Sequence, residues 1–454
     1  MRTAALWAFL RRRWLWCAAA VFAIVHVIIF TVFFDSGGYD VELYFNYASN
    51  VMAGQMPYRD FSMEYPPGAL LVFLLPRLFA STTGAYGTAF AIEMLAFSLA
   101  SLFMILILAR RLKLAVVPTM AIYTMVVVAV GSIAVQRFDF APAALSLAAV
   151  FAFGRGRYKS AWALIAVGTM VKLYPAALAP LFLIYQWRHQ SWRHLVAPIF
   201  VCGAVLVCGM LPFFVLSPEG FLNSFSLQSG RNLQIESLYA SVLFTAYALG
   251  GSNLSVFQGP VSWDLASPYA TGVAQASLAI MFFVAAAVYI VYLLPYSWKK
   301  TESTGPPGPQ ALGRLLNFSL VLIIVLLVTS KVFSTQFMVW LLPFIPLVSG
   351  RARHAIWPAS IAAGCLTWYI YPMHYWDLRN LHVPPMQALF LRNIILVIIA
   401  FWLWETHEPE LQKEESGKLP AELDFSESAG CLGATAEGVV FSPEAKSMAS
   451  QDVS

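Results

Sequence analysis

The chain has 454 residues, of which 59% are hydrophobic and only 11% charged, and its mean hydropathy is +0.70. These values lie far outside those of soluble domains and exclude that class. The net charge of +5 hides an asymmetry: residues 1–404 hold 25 basic and 12 acidic side chains, while the rest hold 3 and 11. The bases cluster at the ends of apolar runs rather than along one face, which excludes a nucleic-acid partner.

Residues 14–34 form the first apolar run. It is long enough to cross a bilayer and has no small-x-small cleavage site before Asp35, so it reads as a retained span rather than a signal peptide. Arg11–Arg13 place the N-terminus in the cytoplasm and the next loop outside. That loop, residues 35–66, carries five carboxylates: Asp35, Asp40, Glu42, Asp60 and Glu64. From Asp40 the pattern D-V-E-L-Y-F-N-Y suits a short interfacial helix, with Asp40, Tyr44 and Tyr47 on one face and Glu42 elsewhere. Pro57 to Phe61 and Glu64-Tyr65-Pro66-Pro67 read as extended, because residues before proline avoid the helical region.

Further apolar runs follow at 67–83, 86–110, 114–132, 138–153, 161–185, 195–216, 237–250, 272–296, 315–330, 336–349, 355–371 and 386–404. Those at 138–153, 237–250 and 336–349 are short and read as re-entrant or half-helices. None alternates as a barrel strand does. The predicted fold is therefore all-α, a polytopic transmembrane helix bundle of about 11–13 spans, with residues 1–404 as one integral unit. Basic clusters flank 161–185 on both sides (Arg155–Lys159 and Arg188–His194), and one crossing cannot leave both inside. Residues 299–314 read as a cytoplasmic linker, and residues 405–454 as an acidic, disordered cytoplasmic tail. The cysteines lie mostly inside apolar runs without metal spacing.

Asp40 reads either as the cap of the short helix or as a reactive carboxylate. Asp60 and Glu64 are rivals for the second role. Several ionisable or polar groups interrupt apolar runs: Arg137 and Asp139, Lys172, Arg231, Gln234 and Glu236, and Lys331. Such groups cost several kcal/mol inside a membrane and are functional candidates, with a structural ion pair as the alternative for Arg137 and Asp139. Lys172 has no acid near it in sequence and is expected to find its anion in a substrate. His374, in an aromatic loop, reads as structural more readily than catalytic.

The motifs D-x-x-x-Y (Asp40, Tyr44), G-x-x-P-Y (Gly54, Pro57, Tyr58), E-Y-P-P (from Glu64), R-x-D (Arg137, Asp139), K-L-Y-P (from Lys172), R-x-L-Q-x-E-S (from Arg231) and K-x-F-S-x-Q (from Lys331) occur in this order. In that order the chain resembles glycosyltransferase family 87. The resemblance implies a GT-C-type membrane enzyme that transfers a sugar from a polyprenyl phosphate to an acceptor hydroxyl, with inversion, at the outer face of a bacterial plasma membrane. Mannose is the implied sugar and Asp40 the implied general base. Polyprenyl phosphate leaves as a stable anion, so one base suffices and cations must meet the growing charge. Lys172, Arg231, Lys331 and Arg137 are the candidates. Tyr44, Tyr58 and Tyr65 are candidates to stack on the sugar, and Asp60, Glu64, Asp139, Gln234, Glu236 and His374 complete the expected substrate site.

No cofactor is expected. Asp40 with Asp35 or Glu42 offers oxygens to a divalent metal, but without a D-x-D pair. The expected partners are the lipid-linked donor, membrane lipids, and a glycolipid, polysaccharide or protein acceptor. A transporter or flippase of lipid-linked sugars is the alternative. The absence of an internal repeat and the gathering of acids in one loop weigh against it.

Overall fold

The computed structural model describes residues 2–35, 38–251, 253–294 and 305–405. The expected tail beyond Glu405 and the first part of the expected linker, residues 299–304, lie outside them. The helices in chain order are α1 (Arg2–Val32), α2 (Tyr39–Met52), α3 (Ala69–Arg77), α4 (Thr83–Arg111), α5 (Val116–Ala129), α6 (Ile133–Gln136), α7 (Phe140–Gly154), α8 (Tyr158–Val171) and α9 (Ala179–His189). They continue with α10 (Arg193–Leu216), α11 (Pro218–Ser229), α12 (Leu238–Ala248), α13 (Ala270–Leu293), α14 (Pro309–Thr329), α15 (Arg353–Trp368), α16 (Tyr375–Arg379) and α17 (Val383–Glu405). Six helices among the described residues are long and apolar enough to cross a membrane, lying within α1, α4, α10, α13, α14 and α17. The protein is an all-α polytopic membrane bundle.

Its two ends differ in charge. At one end Arg110 stands over Trp16, Arg111 donates to the Pro307 carbonyl (2.7 Å) and Tyr158 to the Gly305 carbonyl (2.9 Å). These contacts gather the basic helix ends together. The opposite end collects the first loop and the turns after α6, α8, α11 and α14, and most of the buried ionisable groups lie there.

Two expected spans are corrected. The run 67–83 holds only the nine residues of α3, which cover about 14 Å and cannot cross. Pro76 sits inside it, and Arg77 at its end returns to α2, donating to Ser49 Oγ (3.0 Å) and covering the Phe45 ring. The chain thus enters α4 from the same end at which α1 left. The run 161–185 is two helices. Lys172 is extended (φ −158°, ψ 139°), and a single 3-10 turn over Tyr174–Leu178 reverses the chain into α9. Trp162 near the start of α8 then donates to Gln186 near the end of α9 (2.7 Å). Both flanking basic clusters therefore return to one end, which resolves the conflict in the charge pattern, and Lys172 sits at the turn.

The last of the short runs follows its prolines. Residues 335–347 form two 3-10 segments, Thr335–Trp340 and Ile345–Leu347. Pro343 and Pro346 lack the N–H groups a regular helix needs there. Beyond α12 the strands β1 (Ser255–Gln258) and β2 (Trp263–Ala266) pair antiparallel, with Ser255 opposite Ala266. The segment before α12 joins their edge: Leu265 donates to the Leu233 carbonyl (2.8 Å) and Ile235 to that of Trp263 (3.1 Å). This is how the R-x-L-Q-x-E-S stretch is held extended. Ser237 then caps α12 by accepting from the Ala240 N–H (3.1 Å).

Candidate active site

Asp40 occupies the first turn of α2, whose N-cap is Gly38 without a side-chain capping bond. The capping role is therefore not what its carboxylate does. That carboxylate pairs with Arg137, which follows α6, and Arg137 also donates to the Tyr371 hydroxyl (2.8 Å) and lies over its ring. The positive N-terminal end of α2 adds to the stabilisation of the charge on Asp40. Glu42 in the same turn is exposed.

Arg137 and Asp139 do not pair with each other. Asp139, fully buried, accepts from Lys172 Nζ (2.5 Å) and from Trp340 Nε1 (2.6 Å) through one oxygen. Lys172 Nζ is also surrounded by the rings of Phe138, Phe337 and Trp340 at 4.6–5.3 Å. The anion expected from a substrate is thus supplied by the protein. Only the α8–α9 reversal brings Lys172 to Asp139, 33 residues apart in sequence.

Glu64 is half-buried in the same region. Burial pushes its carboxyl above the usual range, while Arg231 and then Lys172 pull it back by their charge. Gly68, four residues on, faces the Met170 backbone so closely that an added Cβ would stand 2.6 Å from it. Glycine is what lets the E-Y-P-P segment lie against the end of α8. Ser217 donates to the Tyr58 carbonyl (3.1 Å), and an added Cβ at Gly220 would collide with that same oxygen, so the start of α11 is pressed onto the loop.

The loop tyrosines depart from expectation. Tyr44 is fully buried, stacked on Phe73 at 4.5 Å and ringed by Tyr65, Phe90 and Phe138. Tyr58 donates to the Tyr65 carbonyl (2.6 Å) and packs on Phe213 and Phe221. Tyr65 is buried against Phe138. All three are buried among other rings, so they form the core beneath the site rather than a sugar platform.

Asp60 is exposed and spent on a local turn, accepting from Arg59 (2.8 Å) and from the Met56 N–H (2.7 Å). Arg59 and that N–H hold its carboxyl at about 2. A depressed carboxyl stabilises the folded state above its unfolded value, about 3.8, and the benefit is lost as pH falls toward 2. Asp60→Asn is expected to leave sugar transfer within about twofold of wild type and to flatten the fall in thermal stability between pH 4 and 2. Assays of transfer and unfolding of the detergent-solubilised variant check both. His374 pairs with Asp377 (2.8 Å), which His382 also contacts (3.3 Å), in a partly exposed turn. That turn also holds Tyr371, whose hydroxyl Arg137 reaches, whereas the carboxylate that His374 meets is Asp377.

A second group of charges adjoins the first. Arg231 and Lys331 line one cavity of about 370 Å³ with Asn232, Ser267, Thr271 and Gln275. Gln234 N–H donates to the Lys331 carbonyl (3.0 Å), which locks the two loops together. Burial lowers Arg231, and the charges of Glu64 and Asp264 oppose that shift. Lys331 is lowered first by burial and then by Arg231, so two cations act on each other across the cavity. Beneath them buried Glu236 accepts from Gln234 Nε2 (2.8 Å) and the Thr335 N–H (3.2 Å).

The sequence reading missed Arg392. It is fully buried, donates to the Glu236 carbonyl (2.6 Å) and lies 4.0 Å over the Phe333 ring. An arginine in the middle of the last apolar run was the available signal. Asp264, buried on β2 and accepting from Ser262 (2.7 Å), was missed because it sits outside any apolar run.

A bundle of long apolar helices that gathers acids and cations from both halves of the chain at one end defines an integral membrane protein. The chain belongs to glycosyltransferase family 87, whose profile matches residues 64–305. It is therefore a membrane glycosyltransferase. The match takes in Glu64, Arg137, Asp139, Lys172, Arg231 and Glu236, and leaves Asp40 and Lys331 outside. No curated protein matches the sequence. Among solved structures the chain is similar to ArnT from Cupriavidus metallidurans bound to undecaprenyl phosphate, with 12% identity and a TM-score of 0.47 over 86% of this chain and 77% of that one. For the apo state of the same protein the values are 13%, 0.37, 85% and 76%.

Proposed function

We propose that the protein transfers a sugar, mannose by the family resemblance, from a polyprenyl phosphate to an acceptor hydroxyl outside the membrane, with inversion. The Asp40–Arg137 pair carries this reading, because it sets a carboxylate of the first loop against a cation that a donor phosphate can claim. Arg231 and Lys331 bind the phosphate at the cavity they line. As the phosphate draws Arg137 toward itself, the Asp40 carboxylate is released and becomes more basic. Asp40 then takes the acceptor proton while the acceptor oxygen attacks the anomeric carbon from the face opposite the phosphate. The bond from that carbon to the phosphate oxygen breaks, and polyprenyl phosphate departs with its charge held by the cations.

No general acid is required, since the leaving group is already a stable anion, and in this reading the protein's own cations take the place of a metal. Lys172 acts differently from what its sequence context suggested: it holds Asp139, and so fixes the segment that carries Arg137. A flippase would use the same cations without a base, and family membership favours the enzyme. The test is transfer of radiolabel from polyprenyl-phosphate-linked mannose to isolated membranes by the purified protein. Incorporation with mannose is the expected result. Incorporation only with another sugar would replace mannose and leave the mechanism, and movement of the lipid-linked sugar across vesicles without incorporation would favour the flippase.

A further inference from the structure

The basic end of the bundle holds a second cavity, of about 480 Å³, lined by Gly156, Arg157, Lys159, Gln190, Arg193 and His194 among others. No carboxylate is among the described residues that line it. None of Arg157, Lys159 and Arg193 belongs to the ion pairs among the described residues. His194 contacts Ser191 Oγ (2.9 Å) and Arg193 lies over Trp192. The cavity also receives the starts of α8 and α10, and neither has a side-chain N-cap. At α10 the His194 and Leu195 N–H groups donate to the Ser191 and Trp192 carbonyls (both 3.0 Å), so it is the start of α8, without a side-chain cap, that adds partial positive charge to three whole ones.

Three further features say what kind of anion fits. Trp187 and Trp192, on either side of the α9–α10 turn, are 62% and 67% exposed. Exposed tryptophans at helix ends mark the headgroup level of a bilayer. Within two turns of Arg193, the face of α10 presents Val196, Ile199 and Phe200 outward, Phe200 at 73% exposure. α10 as a whole is the least buried of the six long apolar helices. A polar cationic cavity therefore opens directly above a long apolar surface with no protein partner among the described residues, an arrangement that matches an anionic amphiphile rather than a free solute.

We propose that this cavity binds the phosphate of an anionic phospholipid, with the acyl chains laid along α10. Arg157, Lys159 and Arg193 meet the phosphate, and the N–H groups at the start of α8 complete its coordination. The site is remote from the acid-bearing end, so it stands whether or not the proposed donor is correct.

The experiment is native mass spectrometry of the delipidated protein in neutral detergent, titrated with phosphatidylglycerol or phosphatidylcholine. Wild type is expected to retain phosphatidylglycerol at least about tenfold more tightly. The triple variant Arg157→Gln/Lys159→Gln/Arg193→Gln is expected to lose that preference, each base near an anionic headgroup being worth about fivefold. All three side chains are exposed, so unfolding temperature is expected to hold; if the triple variant does not fold, the three single variants are each expected to show a partial loss. Equal retention of the two lipids, or an unchanged preference in the variants, would overturn the proposal. Displacement of bound lipid by millimolar inorganic phosphate would also overturn it, assigning the cavity to free phosphate instead.

Discussion

Asp40→Asn is expected to lower sugar transfer by about 10²–10⁴-fold, the range a positioned general base contributes. The substitution keeps the shape of the side chain and removes its charge. Asp40 is partly exposed and lies at the start of a helix packed mainly through Val41, Tyr44 and Ala48, so thermal stability should change little. Donor affinity is the more telling readout. Without the carboxylate, Arg137 has no competing partner at α2 and is available to the phosphate. Donor KM should therefore stay level or fall while kcat collapses. A variant with full kcat would remove Asp40 from the chemistry and leave Glu64 as the loop carboxylate nearest the cations. Parallel loss of folded protein would instead show that the Asp40–Arg137 pair is structural.

The second large effect is on stability. Asp139→Leu leaves Lys172 buried without its anion, and Lys172→Met leaves Asp139 buried without its cation. Each is expected to destabilise the bundle by about 3–5 kcal/mol, whereas the double variant recovers most of the loss. The reason is that an uncompensated buried charge costs more than the pair itself contributes. Thermal unfolding of the four proteins in one detergent forms a double-mutant cycle, with the coupling read directly. Singles within about 0.5 kcal/mol of wild type would show that this pair does not hold the α6–α7 and α8–α9 turns together. Transfer by the double variant then separates two roles. Recovery of both stability and transfer makes Lys172 a positioning residue, and recovery of stability alone means that its charge also reaches the donor.

The charged groups of the first loop show why local sequence reaches only part of the way to a site. Asp40, Asp60 and Glu64 look alike in sequence, three acids among aromatics. Structure separates them by what lies opposite: Arg137 for Asp40, the adjacent Arg59 for Asp60, and the charges of Arg231 and Lys172 for Glu64. Only the Asp60 partner is a sequence neighbour. The tyrosines follow the same logic. Their membrane-edge position was legible, but the burial of Tyr44 and Tyr65 depends on Phe73 and Phe138 arriving from α3 and the α6–α7 turn, and that of Tyr58 on Phe213 and Phe221 from α10 and α11.

What the sequence determined by itself was the class of fold and the set of groups out of which the site is built. Hydrophobic runs of spanning length leave helices as the only way to satisfy the backbone in a bilayer, and buried ionisable residues announce themselves because each is costly there. Even the contradiction in the charge pattern around 161–185 was a correct signal of a reversal that apolarity alone could not show. Tertiary structure decided which segments cross, which charges pair and which rings are core. Those outcomes rest on contacts between residues far apart in the chain, such as Lys172 with Asp139, Trp340 with Asp139 and Arg392 with Glu236. The energy of a buried charge is set by the partner that packing brings to it, and packing is a property of the whole bundle.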